Sequence, residues 1–328
     1  MKYRRLGKTD LKISEISLGT WQVGGKWGSG FNHDNADQIL NLAIDQGVNF
    51  IDTADVYESG ESEKAVGRLI KNRSEEIFVA SKCGRQINPH VNEGYTESAL
   101  RQYVEDSLQR LGLETIDLIQ LHCPPTEVYY RPEIFGLFET LKSEGKIRHL
   151  GVSVEKVEQA IKAIEFDNVT TVQLIFNMFR QRPRERFFQD AKQKDVGIII
   201  RVPLASGLLT GKYSVHTHFE EGDHRFGNRN GEWFDRGETF AGIPFETGLK
   251  AVDELKQLFP NSENLARHAL RWVLDHAEVS CVIPGASRSE QVTLNNLAIT
   301  DEALSSAQMN EIDRIYSDSI RHHVHHLW

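Results

Sequence analysis

Asn49-Phe50-Ile51-Asp52-Thr53-Ala54-Asp55-Val56-Tyr57 reads as a short buried strand that stops abruptly in ionisable side chains. Gly47 suits the stop of a preceding helix, Val48, Phe50 and Ile51 suit the strand, and Gly60-Glu61-Ser62 opens the next helix. Asp52 and Tyr57 therefore stand at, and just beyond, the C-terminal end of a strand. Taken alone the stretch has two readings, because Asp52 can cap a turn and Tyr57 can be an ordinary amphipathic wall residue. The rest of the chain decides between them.

Outward from this stretch one rhythm runs through the sequence: a strand-length apolar run, a polar or glycine-bearing loop, then an amphipathic helix pattern. Strands are expected near Glu15 to Leu18, Val48 to Ile51, Ile77 to Ser81, Ile116 to Leu121, Ile147 to Val152, Thr171 to Leu174, Gly197 to Ile200 and Val279 to Ile283. Helices between them are anchored by Ile39, Leu42 and Ala43, by Ala65, Val66 and Leu69, by Leu100, Val104 and Leu108, and by Ile134, Leu137, Phe138 and Leu141. Eight such units predict an α/β chain folded as a single (β/α)8 TIM barrel over residues 1–328. The competing doubly wound sheet needs a glycine fingerprint. Gly28-Ser29-Gly30 lacks the third glycine and follows no clean strand-to-helix junction.

Several segments stand outside the rhythm. Tyr3 to Ser14 alternates weakly about Gly7-Lys8-Thr9-Asp10 and predicts an N-terminal β-hairpin; no glycine stands five positions before Gly7, so this is not a phosphate loop. Tyr213 to Pro244 is long and aperiodic, as a working loop or lid would be. Extra helices are expected over Phe245 to Phe259 and Glu263 to His276, parted and capped by Pro260-Asn261-Ser262, and over Glu302 to Tyr316. The four histidines of Arg321 to Trp328 lack a carboxylate or cysteine at ligand spacing, and read as a flexible polar tail near the barrel mouth.

A net charge of -9 argues against nonspecific binding to nucleic acid or anionic lipid. No apolar run reaches membrane-spanning length and the N-terminus carries no signal-peptide core, so a cytoplasmic protein without membrane partners is expected. Cys83, Cys123 and Cys281 are too scattered for a disulfide framework or a CxxC metal site and read as buried thiols. The sequence leaves oligomeric state open.

Reacting groups of a (β/α)8 barrel come from the C-terminal ends of its strands. Here those ends deliver Gly19, Thr20 and Trp21, then Asp52 with Tyr57, Lys82, His122, Ser153, Gln173, Arg201, and finally Pro284 and Gly285. Ser153, Gln173 and Arg201 each have an ordinary structural reading as a turn residue, a strand-end hydrogen bonder and a surface charge. Lys82 and His122 directly follow apolar runs and are carried inward, where an unpaired charge is costly, so Lys82 needs a partner and Asp52 is the natural one. A tyrosine of pKa ~10 is a poor acid near neutrality, and a neighbouring ammonium lowers that pKa. Lys82 is expected to do this to Tyr57. A carbonyl oxygen between Tyr57 and His122 would then be stabilised as it gains negative charge.

With these residues in view, the chain resembles the aldo-keto reductase superfamily over essentially its whole length, in a bacterial-type subgroup. The likeness is carried, in order, by Leu6 to Ser14, Phe50 to Tyr57, Ser81-Lys82, Asp117 to His122, Ile147 to Ser153 and Pro203 to Lys212. The family's catalytic tetrad falls on Asp52, Tyr57, Lys82 and His122. The resemblance implies NADP(H) lying extended across the barrel mouth. Gly19, Thr20, Trp21 and Asp52 would face its ribose and nicotinamide, and Ser153 and Gln173 its carboxamide. Arg201, with Val202 beside it, stands where many members stack an aromatic on the nicotinamide. Leu204, Ser206, Gly207, Leu208, Thr210 and Lys212 match the pyrophosphate loop, and Gly285, Ser287, Arg288, Gln291 and Asn295 the adenosine phosphate segment.

Three positions depart from the family pattern: Val154 replaces an asparagine, Gly285 a lysine, and Arg201 the stacking aromatic. Arg288, at the start of a helix pattern whose amides favour an anion, is left as the main cation for a 2'-phosphate. The implied activity is NADPH-dependent reduction of aldehydes or ketones, reversible as an alcohol dehydrogenase, with Tyr57 as general acid and no metal. The partner would be a small carbonyl or alcohol substrate. The alternatives are a sugar or polyol dehydrogenase working oxidatively and a cofactor-sensing binding subunit; a metal-dependent hydrolase would need ligands that His122 lacks. Pocket walls are expected from Trp21, Trp27, the loop after Lys82, Trp233 and the tail.

Overall fold

The structure, a computed structural model, describes residues 1–25, 30–260, 262 and 264–328. Trp27, Gly28, Ser29, Asn261 and Glu263 of the expectations above lie outside the described residues. β1 (Tyr3–Arg5) and β2 (Lys12–Ser14) pair antiparallel as the expected hairpin, with Arg4 opposite Ile13. It plugs the end of the fold where the strands begin: Lys8 N donates to Asp195 O, and Gly7, at φ +54°, packs so tightly on the backbone of Gly197 that a Cβ would sit 2.1 Å from its nitrogen.

Eight parallel strands follow in chain order: β3 (Leu18–Gly19), β4 (Phe50–Asp52), β5 (Phe78–Cys83), β6 (Ile116–His122), β7 (Ile147–Ser153), β8 (Val169–Ile175), β9 (Gly197–Arg201) and β10 (Val279–Val282). Parallel bridges from Ile16 to Val282 and from Gly19 to Gly285 join the two ends of the row, so the sheet closes into the expected (β/α)8 barrel. Inward side chains such as Phe50, Leu118, Ile199 and Cys281 fill it together with Leu6, Leu11 and Ile13 of the hairpin. The larger apolar layer lies between strands and helices.

The strand boundaries differ from expectation for local reasons. Val48 N still bonds back to Ala43 O at the end of the preceding helix, so β4 begins only at Phe50. Glu15 N donates to Lys2 O of the hairpin, Ile16 makes only an isolated bridge to Val282, and β3 begins only at Leu18. At the other ends β5, β6 and β7 run on through Lys82, His122 and Ser153, so these polar side chains sit on ladder-bonded backbone instead of loops. The three cysteines are buried and free.

Beyond β9, the 213–244 segment carries only short helical turns, His224–Gly227, Arg236–Glu238 and Phe240–Gly242. Helices Phe245–Leu258 and Leu265–Leu274 follow; Asn264, through Ala266 N at 3.2 Å, caps the second, so the expected start at Glu263 shifts to Leu265. The helix expected from Glu302 starts at Ser306 instead, because Ser305 and Gln308 form its capping box.

The tail corrects the expectation of a flexible segment. Residues Arg321–Val324 are helical, Val324 is buried, and the terminal Trp328 is 5 % exposed. Trp328 Nε1 donates to Asp235, its carbonyl accepts from Arg182 at 2.8 Å, and Arg180 lies 4.3 Å from the ring. The indole rests on Gly237 and Gly242, where an added Cβ would come within 2.8 Å of it. Four histidines made the segment look solvated, but apolar Val324 and Trp328 decide its packing. Among the described residues no helix is long and apolar enough to cross a membrane.

Candidate active site

Parallel register sets the site. Gly19 lies opposite Asp52, Lys82 opposite Gln120, and His122 opposite Ser153, which itself lies opposite Gln173. The fully buried Lys82 ammonium donates to Asp52 Oδ1, to Thr53 O at 2.9 Å and to the Tyr57 hydroxyl at 3.1 Å. Its three donors are thus all used. Asp52 Oδ2 accepts from Gln120 at 3.0 Å and Gln173 at 2.7 Å, so the buried carboxylate is fully engaged.

Burial, the largest influence on Lys82, favours its neutral form, but Asp52 and Tyr57 outweigh it and the ammonium is held above its ordinary pKa. The expectation for Tyr57 is corrected in its net sign. Burial raises its pKa by more than Lys82 lowers it, so the phenol stays protonated, an acid awaiting an acceptor. His122 packs edge-on to Tyr57, ring centroids 6.1 Å apart. Burial first, then Lys82, Arg85 and Arg201, hold His122 well below the usual histidine range, so it is neutral. Its Nδ1 is enclosed without a partner among the described residues, which leaves Nε2 to serve the pocket.

A cleft of about 590 Å³ opens from Tyr57 and His122. Of the residues expected to hold a cofactor, Gly19, Thr20, Trp21, Asp52, Gln173, Arg201, Val202, Leu204, Ser206, Gly207, Thr210, Lys212, Gly285, Arg288 and Gln291 line it. Ser153 does not; it lies behind Gln173, its hydroxyl 3.4 Å from Gln173 Oε1. Leu208 is 1 % exposed in the apolar core, and Asn295 and Ser287 also stand off the cleft wall. The amides of Ser287 and Arg288 are not open to an anion as expected: Gln291 Oε1 accepts from both, at 2.7 and 3.2 Å.

These residues fit an extended dinucleotide. Gly19 and Gly285 present bare backbone joined by a bridge, and Ala205, Ser206 and Gly207 hold φ of +48°, +54° and +95°, which turns backbone toward the cleft. At the far end Lys212 and Arg288 carry side chains without an ion pair among the described residues. The Arg201 guanidinium is committed instead to Val154 O at 3.1 Å, Cys123 Sγ at 3.7 Å and Glu238 at 3.3 Å.

The sequence profile of the Aldo/keto reductase family matches residues 15–317. The chain belongs to this family. Among its relatives is the uncharacterized oxidoreductase YqkF of Bacillus subtilis, 30 % identical over 96 % of this chain and 98 % of that one. Another is the NADH-specific methylglyoxal reductase of Escherichia coli, 29 % identical over 96 % of this chain and the whole of that one. Among solved structures, the glycerol dehydrogenase AKR11B4 of Gluconobacter oxydans superposes with a TM-score of 0.78 at 30 % identity, covering 97 % and 96 % of the two chains. As an aldo/keto reductase the protein is an oxidoreductase of the kind that uses NAD(P)H.

Several residues of this aldo/keto reductase site were not picked out from its sequence. Gln120 was legible, since it stands two before His122 and so on the same face of β6. Arg85, Glu238, Tyr213, His224, Arg225 and Phe234 also line the cleft. Most come from the aperiodic 213–244 segment, whose path no pattern predicts. Trp21 meets His224 in a tilted ring contact at 5.0 Å and Phe234 edge-on at 6.1 Å, which brings that segment over the mouth. Cys123, Glu155 and Glu238 bring a thiol and two carboxylates within 4.8 Å of one another. Arg201 answers the charge of Glu238, and Arg85 that of Glu155.

Proposed function

We propose that the protein is an NADPH-dependent reductase of aldehydes and ketones, reversible as an alcohol dehydrogenase. The observation that carries the reading is the Tyr57 hydroxyl, held by Lys82 and Asp52 beside a neutral His122 on a cleft that runs to Arg288. The nicotinamide dinucleotide, when bound, supplies the hydride. Tyr57 and His122 each donate a hydrogen bond to the substrate carbonyl oxygen and stabilise the charge it gains; Tyr57 then delivers its proton to that oxygen. Lys82 stabilises the phenolate left behind, and Asp52 keeps Lys82 charged and aimed. Gly19, Thr20, Trp21, Gln173, Val202, Leu204, Ser206, Gly207, Thr210 and Lys212 would line the cofactor's path, with Arg201 beside its nicotinamide and Arg288 at its 2'-phosphate.

Likeness does not carry the choice of NADPH, since the similar methylglyoxal reductase is NADH-specific; the choice rests on Arg288. The similarity to a glycerol dehydrogenase favours polyol oxidation as a second reading. The test is reduction of an aldehyde panel with NADPH carrying deuterium at both hydrogens of nicotinamide C4. Deuterium on the product's carbinol carbon is expected; its absence from the product overturns direct transfer. Polyol oxidation outpacing aldehyde reduction at equal cofactor supply would favour the second reading.

A further inference from the structure

β5 ends at Lys82-Cys83, Gly84 turns at φ +98°, and the next residue, Arg85, lines the same cleft as Tyr57 and His122. Its side chain is 23 % exposed, and its one partner among the described residues is Glu155, an ion pair at 3.5 Å with no hydrogen bond. A guanidinium carries five donors in a planar fork, and those of Arg85 have no hydrogen-bond acceptor among the described residues, which leaves them available to a ligand. Arg201 nearby has its two terminal nitrogens taken by carbonyl, thiol and carboxylate partners. Glu155 is a weak counterion: burial first, then Asp235 and Glu238, push its pKa up to about 7, so it surrenders its charge readily. The principal charges acting on His122, those of Lys82, Arg85 and Arg201, are all positive.

A carbonyl oxygen seated at Tyr57 and His122 leaves the body of the substrate in the cleft that Trp21, Val56, Trp233, Phe234 and Arg85 line. We propose that Arg85 anchors an oxyanion, carboxylate or phosphate, borne by the carbonyl substrate, so that acidic aldehydes or ketones are preferred over neutral ones of the same shape. The fork suits either oxyanion bidentately, and Glu155 competes for it. This deepens the proposed function and rests on the placement of the carbonyl oxygen at Tyr57 and His122.

The test compares 4-carboxybenzaldehyde with 4-formylbenzamide, which differ in charge but hardly in shape, and glycolaldehyde phosphate with glycolaldehyde. For at least one pair kcat/KM should favour the anion by about tenfold or more, the scale of a charged hydrogen bond. Arg85→Gln should bring that preference to within about threefold, read as the ratio of anion to neutral substrate in the same variant, and Glu155→Gln should increase it. A preference in one pair alone tells which oxyanion the anchor takes. Equilibrium binding of the same pairs to the NADP+-loaded protein reads the preference without turnover. Selective binding without reduction would therefore count against the proposed function and leave Arg85 supported. Equal kcat/KM and equal binding within both pairs, or a preference that survives Arg85→Gln, overturns the proposal.

Discussion

Lys82 Nζ stands 3.1 Å from the Tyr57 hydroxyl and donates to it, so the phenol oxygen is an acceptor on that side and its own proton is free for the cleft. The ammonium is fixed from behind by Asp52 and the Thr53 carbonyl, and Asp52 by Gln120 and Gln173. Each member of the chain thus fixes the next, and the Tyr57 hydroxyl proton is what remains for the cleft.

Breaking that chain in the middle should cost stability as well as rate. Lys82→Met leaves the Asp52 carboxylate buried without its cation, a loss of about 3 to 5 kcal/mol when one partner of a buried pair is removed. Adding Asp52→Asn should recover most of the stability and none of the turnover. Denaturant melts of the two variants beside their rates check this; a single variant as stable as wild type would contradict the pairing.

Cofactor choice should respond at two positions. Arg288→Ala is expected to weaken NADPH binding selectively by about 1.5 to 3 kcal/mol, the range for a charged hydrogen bond, and to leave NADH unchanged. A Cβ added at Gly285 would meet no atom closer than 3.8 Å, so Gly285→Lys fits without strain and should tighten NADPH further. Titrations of both cofactors decide it, and equal weakening of the two by Arg288→Ala would place the phosphate elsewhere.

Because His122 is held neutral in the native state, only the unfolded chain binds its proton as pH falls below ~6.5. Stability therefore rises with pH through this window and is lost on acidification, by up to about 1.4 kcal/mol per pH unit for one such proton. His224, pushed down to about 4 chiefly by burial, adds to the same trend. Comparing unfolding free energies from pH 7 to 5 should show a shallower slope for His122→Gln; an unchanged slope would mean that His122 is protonated in the fold.

The C-terminal Trp328 fills the space over Gly237 and Gly242 and ties the 235–242 segment to Arg180 and Arg182. Trp328→Ala should cost about 3 to 5 kcal/mol, the range for deleting a buried aromatic. Thermal melts that match wild type would show that the tail is not load-sharing.

The barrel was legible because its signal recurs: strand-length apolar runs alternate with amphipathic helix patterns, and polar side chains stand directly after the runs. Asp52, Lys82 and His122 were legible for the same reason, as ionisable groups that strands carry inward. What stayed hidden depends on packing between distant segments. Nothing near Trp328 in sequence tells that it reaches Gly237, and nothing near Glu238 tells that it pairs with Arg201. The sign of the Tyr57 shift was hidden too, since it turns on how deeply the phenol is buried, which its neighbours in sequence do not fix.

Tyr57→Phe tests the central claim most directly, because it keeps the ring and removes only the hydroxyl. Cofactor affinity should be retained while kcat for aldehyde reduction falls by at least about a hundredfold, the usual scale for losing a positioned acid. Turnover within a fewfold of wild type would contradict Tyr57 as the proton donor.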